Sequence, residues 1–339
     1  MTTTIAHPPA SASRNSDAGR SQSRRSRWRR IGRSASIAGI AALVLMAAGA
    51  LINIRAEQTE RDTLPVYGER VAVEGGHLNV FRHGATGPTI VMLTGYRTAA
   101  PALDFAPLIR ELDGFQVVVV EGFGYGYSDT DAPPRTIENI TGELHQAIAA
   151  LDLEEPYILL GHSIAGIYDL YYANRYHDEV SAVVGIDASV PGQVNGLAGQ
   201  GNPLNRLVAE SGLLRAAAAL APSLIEPDGT AYTAREREQM RAMANWNWAN
   251  PAILDEADQG ARNFSVVQNM TYPDDVSVLS FIKKHGSQAG WRELHQAQLE
   301  NLDHGELIEL DGGHYLHWTH AAELAQHIRQ FLGDTSVIR

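Results

Sequence analysis

Three side chains in this sequence have the types and order needed for acyl-transfer chemistry: a serine, Ser163, a histidine, His314, and a carboxylate between them, Asp187. A serine hydroxyl is a poor nucleophile until a neighbouring imidazole takes its proton, and the imidazole works only when something fixes its tautomer. Ser163 sits in "PYILLGHSIAGIYDLYYA", Pro156 to Ala173, where the residue period changes. Tyr157 to Leu160 form a short apolar run that reads as a strand buried on both faces. Ile164, Ile167, Leu170 and Tyr171 then recur at helical spacing. Ser163 therefore falls in a strand-to-helix turn of almost no length, which strains its backbone and tolerates only small neighbours, here Gly161, Ala165 and Gly166. In such a nucleophile elbow the hydroxyl stands clear of the sheet edge and the following amide, that of Ile164, can donate to a developing oxyanion. The usual G-x-S-x-G pattern is present as G-H-S-I-A-G, with alanine at the last small position.

The other two groups come from loops after strands. "GGHYLHW" follows the last apolar strand run and offers His314 on a glycine-flanked loop. "VSAVVGID" ends in Asp187, which places a carboxylate at the same sheet edge as the serine. "LTGYR" follows the run Thr89 to Leu93, so the loop at Gly95 and Tyr96 is expected to turn backbone amides toward the elbow, with that of Tyr96 as a second oxyanion donor. Asp274 and Asp275 lie at the wrong end of the next strand, and the stretch after it, "FIKKHGSQAGW", carries no carboxylate before Glu293. Asp303 is the remaining alternative. His314, His317 and His320 recur every three residues, but no nearby carboxylate or cysteine completes a metal set, and His162 is expected to pack beneath the elbow.

The elements that must position these groups follow from pattern. From about Leu64 strands and helices alternate, implying an α/β fold with a mainly parallel eight-stranded sheet covered on both faces. The expected core runs over 64–189 and 274–339. Between them, 190–273 has helical stretches and no convincing strand, and is expected to be an inserted helical cap. Its Met240, Met243, Trp246 and Trp248, with Gly95 and Tyr125, are expected to shape the substrate pocket.

These pieces carry a resemblance. From Leu64 onward the chain resembles the α/β-hydrolase superfamily, particularly membrane-proximal bacterial members, through "EGGHLNVFRHG", "EGFGYGYSD", the Ser163 segment and "GGHYLHW". The family usually has His-Gly in its oxyanion loop, where this chain has Thr94-Gly95. The resemblance implies a serine esterase without metal or cofactor, in which Ser163, His314 and Asp187 form the triad. It also brings two alternatives: an aminopeptidase whose cap carboxylates (Glu226, Glu236 or Glu256) hold an amine, and a scaffold that keeps the fold without turnover. Dehalogenases and most epoxide hydrolases of this fold need a carboxylate where Ser163 stands.

Charge and hydropathy set the context. Of 339 residues, 27 are basic and 39 acidic, a net charge of -12. Residues 1–33 hold eight arginines against one aspartate, leaving 19 basic against 38 acidic residues in the remainder. So acidic a body argues against nucleic acid as a partner. With no cysteine, disulfides and thiolate catalysis are excluded. Residues 1–34 read as a disordered basic tail, 35–54 as a charge-free anchor helix long enough to span a bilayer, and 55–63 as a linker. "RRSRWRR" before the anchor predicts a cytoplasmic N-terminus and an extracytoplasmic body, a single-pass membrane protein acting on a small-molecule acyl ester. Cleavage near Ala48, Gly49 and Ala50, or a twin-arginine signal, gives a secreted protein as the alternative.

Overall fold

The computed structural model of the chain describes residues 4, 15–194, 196–227 and 230–335. The chain divides into two compact units, Met1–Ile52 and Asn53–Arg339. The first contains most of a long helix, α1 (Asn15–Thr63), which continues into the second. Its segment Ser36–Thr63 is the one helix among the described residues long and apolar enough to cross a membrane. Two expectations are corrected here. The part of the basic tail from Asn15 onward is helical, as is the supposed linker 55–63; residues 1–3 and 5–14 of that tail lie outside the described residues. Once the apolar run has formed its turns, adding residues at either end costs far less than nucleation, and arginine, glutamine and glutamate are good helix formers. Arg61 and Glu57, one turn apart and paired at 2.8 Å, support the last turns. The helix stops at Pro65, whose ring drives Leu64 out of helical geometry.

The second unit is built on eight strands: β1 (Glu69–Val73), β2 (Gly76–His83), β3 (Thr89–Leu93), β4 (Gln116–Glu121), β5 (Tyr157–His162), β6 (Val180–Ile186), β7 (Ser277–Lys283) and β8 (Gly305–Leu310). They pair in the order β1-β2-β4-β3-β5-β6-β7-β8. β2 runs antiparallel to both neighbours, and every pairing from β4 to β8 is parallel. Alternation along the strands divides the core. Val117, Val119, Ile158 and Leu160 point to one face, where Leu324 and Ile328 pack; Val118, Val120, Tyr157 and Leu159 point to the other, against Leu144 and Ile148. The helices responsible are α2 (Pro101–Asp104), α3 (Ala106–Glu111), α4 (Ile137–Ala149), α5 (Ala165–Arg175), α10 (Trp291–Leu299), α11 (Leu316–Thr319) and α12 (Ala321–Asp334). Between β6 and β7 lie α6 (Pro203–Glu210), α7 (Leu213–Leu220), α8 (Ala234–Asn247) and α9 (Pro251–Val267). The chain therefore has the α/β-hydrolase fold, with an apolar helix ahead of it.

Candidate active site

The turn between β5 and α5 holds Ser163 at φ 55°, in the left-handed region that a non-glycine residue adopts only when its surroundings enforce it. Those surroundings are close-packed. A methyl group on Gly166 would stand 2.4 Å from the Ser189 carbonyl oxygen, and one on Gly161 would stand 2.0 Å from Asp169. The Ser189 amide donates to the Ser163 carbonyl at 2.6 Å, tying the loop after β6 to the elbow. That loop begins at Asp187, also at positive φ (40°), and so aims its carboxylate along the sheet edge.

Ser163 Oγ lies 2.9 Å from His314 Nε2, and His314 Nδ1 lies 2.6 Å from Asp187 Oδ2. Asp187 is buried. Burial alone pushes its carboxyl pKa up; the His314 hydrogen bond and charge, with Lys283, outweigh that and hold it below the ordinary carboxylate value. A carboxylate only accepts, so His314 Nδ1 must carry the ring proton and Nε2 is left to accept from the Ser163 hydroxyl. Gly95 lies over this group: a Cβ there would be 3.0 Å from the Ser163 Cβ. The amides of Tyr96 and Ile164 have no hydrogen-bond partner among the described residues.

Two residues at the site were not anticipated from sequence. Asp187 Oδ1 accepts from Trp291 Nε1 at 3.1 Å and from the Lys283 amide at 3.3 Å, and Lys283 Nζ stands 3.6 Å from Oδ2. The stretch after β7 thus supplies no carboxylate but supplies the donors for one. Its only sequence signal was a lone tryptophan after a Gly-rich loop. Removing one donor from a buried carboxylate costs about 1–3 kcal/mol, so Trp291→Phe should lower kcat on an ester roughly tenfold or more with KM little changed, measured by steady-state kinetics.

His162 sits at the centre of the supporting layer. It is fully buried; burial, then the neighbouring His317 and His314, hold its pKa well below the ordinary histidine value, so the ring is neutral. Its Nε2 lies 3.1 Å from the His314 carbonyl oxygen, an acceptor, so the proton is on Nε2. Its Nδ1 faces Gly95, where a Cβ would be 2.8 Å away. One imidazole therefore packs against the elbow, the His314 loop and the oxyanion-side loop together. The expectation that no carboxylate stands near the histidine series is corrected: Asp104, from α2, lies 2.7 Å from His317 Nε2 and accepts from Trp318 Nε1 at 2.8 Å. Asp104, His162 and His317 have donor atoms within 4.8 Å of one another. Their contacts are those of a packed hydrogen-bonded cluster, since the Asp104–His317 pair touches directly.

The pocket residues divide. A cleft of about 180 Å³ opens on Ser163, Asp187 and His314 between Gln193, Lys283 and Trp291. A larger cleft of about 430 Å³, lined by Arg97, Met240, Trp248, Tyr315 and Trp318, does not include Ser163. Met243 and Trp246 line neither; they are buried against Tyr67, Tyr127 and Tyr232. The reason is helix phase: Met240, Ala244 and Trp248, four residues apart, follow one stripe of α8 and its end, and Met243 and Trp246 lie on the flank that packs inward beside Met240. Tyr125 is buried too, its hydroxyl donating to Glu256 at 2.6 Å. Of the carboxylates in this helical stretch, Glu256 also accepts from Tyr168, Glu226 pairs with Arg241 and Glu236 with Arg110. Asp303 lies at the other end of the sheet, bonded through its amide to Asp274, and Asp275 pairs with His177.

His295, buried beneath Trp291 with ring centroids 4.7 Å apart, has its pKa lowered by burial from the ordinary 6.5 to about 4. Between these values the unfolded chain binds a proton that the folded chain does not, so stability falls as pH drops from 6.5 toward 4. His295→Gln should flatten that slope, removing about 2 kcal/mol of acid sensitivity at pH 5, measured by urea unfolding at pH 7 and 5.

A sequence model described as the alpha/beta hydrolase fold matches residues 80–224. The uncharacterized protein YbdG of Bacillus subtilis (strain 168) is 31% identical over 157 residues, 45% of this chain and 48% of that protein. YqjL of the same organism, also uncharacterized, is 30% identical over 105 residues, 30% of this chain and 41% of that protein. The chain spans about half the length, or less, of these curated relatives. Among solved structures, a laboratory-evolved variant of potato epoxide hydrolase has a TM-score of 0.63 at 16% identity, covering 80% of this chain and 100% of that one. A thermophilic esterase from Thermogutta terrifontis has 0.58 at 17%, covering 79% and 99%. The enol-lactonase from Burkholderia xenovorans LB400 has 0.56 at 21%, covering 78% and 100%. Strand order, the turn that bears Ser163 and the match over residues 80–224 together give this chain the α/β-hydrolase fold.

Proposed function

We propose that the chain is a membrane-anchored serine hydrolase that cleaves carboxylic esters. The observation that carries this reading is the unbroken series from Asp187 through His314 to Ser163, with contacts of 2.6 and 2.9 Å. His314 Nε2 takes the hydroxyl proton as Ser163 Oγ attacks the ester carbonyl, and the amides of Tyr96 and Ile164 donate to the oxyanion. The tetrahedral intermediate collapses, the ester C–O bond breaks, and the leaving alcohol takes the proton from His314. Water, deprotonated by the same nitrogen, then attacks the acyl-enzyme and releases the carboxylic acid. Asp187 keeps the imidazole in the working tautomer and stabilises it while charged. Epoxide opening through a carboxylate nucleophile is less suited to this elbow, which bears a hydroxyl. An aminopeptidase needs a carboxylate free to hold an amine, and Glu226, Glu236 and Glu256 are already engaged.

The charge-free run at 35–54 and the arginines ahead of it support a single-pass topology with a cytoplasmic N-terminus and an extracytoplasmic hydrolase domain. The activity is tested by treating the full chain with a fluorophosphonate and mapping the adduct by mass spectrometry. The expected adduct is on Ser163 and disappears in Ser163→Ala; an unlabelled wild-type chain would overturn the reading in favour of a scaffold.

A further inference from the structure

The helices α6 and α7 turn an apolar face outward from a body whose composition is strongly acidic. From Ser189 to Ile225 the only charged residues are Arg206, Glu210 and Arg215. On α7, Leu213, Ala216, Ala217 and Leu220 are all exposed at the spacing i, i+3, i+4, i+7, and α6 adds Leu204 and Leu207. Leu220 is 89% and Leu204 63% exposed. A stripe with this spacing ordinarily covers a core. Left in water it marks an interaction surface, and an exposed apolar stripe on a surface helix is what a segment lying in a membrane interface presents to the acyl chains.

The end of α1 indicates what covers it. Asn53 is buried; its side-chain amide donates to the Ala209 carbonyl at 3.4 Å and its oxygen accepts from Arg215 Nε at 2.9 Å. The Arg215 guanidinium also binds both carboxylate oxygens of Glu60, which accepts from Trp246 Nε1 at 2.9 Å, while Arg61 lies 4.3 Å over the Trp246 ring. Asn53 belongs to the charge-free run that ends at Ile54, and Glu60 stands about 9 Å further along the helix at 1.5 Å per residue. The adjoining ends of α6 and α7 are therefore tied to α1 at the point where apolar sequence gives way to charge. In a chain anchored through that run, this is the depth of the lipid headgroups.

We infer that the outward face of α6 and α7 rests in the interfacial layer of the bilayer that α1 enters. The inference depends on the membrane-anchored reading above. It commits to lipid over a second copy of the chain because the tie to α1 brings the face to the membrane in every molecule, without association. Ile225, five residues beyond Leu220, lines the larger cleft, so that cleft opens beside the same face. The arrangement suits an ester dissolved in the membrane.

The chain's lack of cysteine allows single labels. Full-length chains carrying Leu207→Cys or Leu220→Cys, nitroxide-labelled and reconstituted in phosphatidylglycerol/phosphatidylethanolamine vesicles, should show relaxation by oxygen enhanced and relaxation by a water-soluble nickel chelate suppressed. The reference is Asp178→Cys, an exposed position at the opposite end of β6. Chelate access at 207 and 220 equal to that at 178, in a chain that resists carbonate extraction, would overturn this inference alone. Release of the chain by carbonate would overturn the anchored reading with it. Spin–spin broadening that grows with protein density at 207 and 220 would assign the face to a second copy, and the lipid assignment would fall.

Discussion

Replacing Ser163 by alanine should lower kcat/KM on a soluble ester by about 10⁴–10⁶-fold, and His314→Ala should do nearly the same. The double variant should lose no more than either single one. The hydroxyl and the imidazole act as one unit: without the base the hydroxyl keeps its proton, and without the hydroxyl the base has nothing to activate. Steady-state kinetics on the three variants measure this directly. Losses that multiply in the double variant would mean that the 2.9 Å contact between Oγ and Nε2 is not the functional one. Ser163→Ala should leave folding intact, since the left-handed backbone at 163 is enforced by Gly161, Gly166 and the Ser189 amide rather than by the side chain.

Asp187→Asn carries the second large effect, about 10³–10⁴-fold in kcat with far-UV circular dichroism unchanged. An asparagine amide placed 2.6 Å from Nδ1 donates, which forces the ring proton onto Nε2 and leaves nothing to accept from Ser163. Trp291 Nε1 and the Lys283 amide both donate toward Oδ1, so the asparagine oxygen is held there and its NH₂ is directed at the histidine. A variant retaining more than about a tenth of wild-type kcat would remove Asp187 from the proposed triad, because wrong-tautomer losses are far larger than tenfold.

How much of this was legible beforehand depends on the range of the interactions. The strands were legible because a parallel strand buried on both faces writes continuous apolar runs such as Val117 to Val120. The elbow was legible because a turn of that tightness requires small residues at fixed offsets. Asp187 could be placed at the right edge from strand direction alone. Its donors could not: Trp291 arrives from α10, 104 residues away, and no local pattern encodes the meeting. The same holds for Asp104 and His317, 213 residues apart in sequence. On α8 the apolar residues were evident, but periodicity does not tell which of two sides meets the core. Of the four cap residues Met240, Met243, Trp246 and Trp248, the first and last line the larger cleft and the middle two pack inward.

The anchoring of α9 limits how the site admits a guest. Glu256 is held by two tyrosines of the hydrolase core, Asn263 accepts from the Ile137 amide at 2.9 Å, and Asp255 accepts from the Arg135 amide at 2.6 Å. Swinging this helix outward would strand several buried polar groups at once, each at a cost of about 1–3 kcal/mol. The helix behaves as a fixed doorpost, and a guest must reach the nucleophile without displacing it.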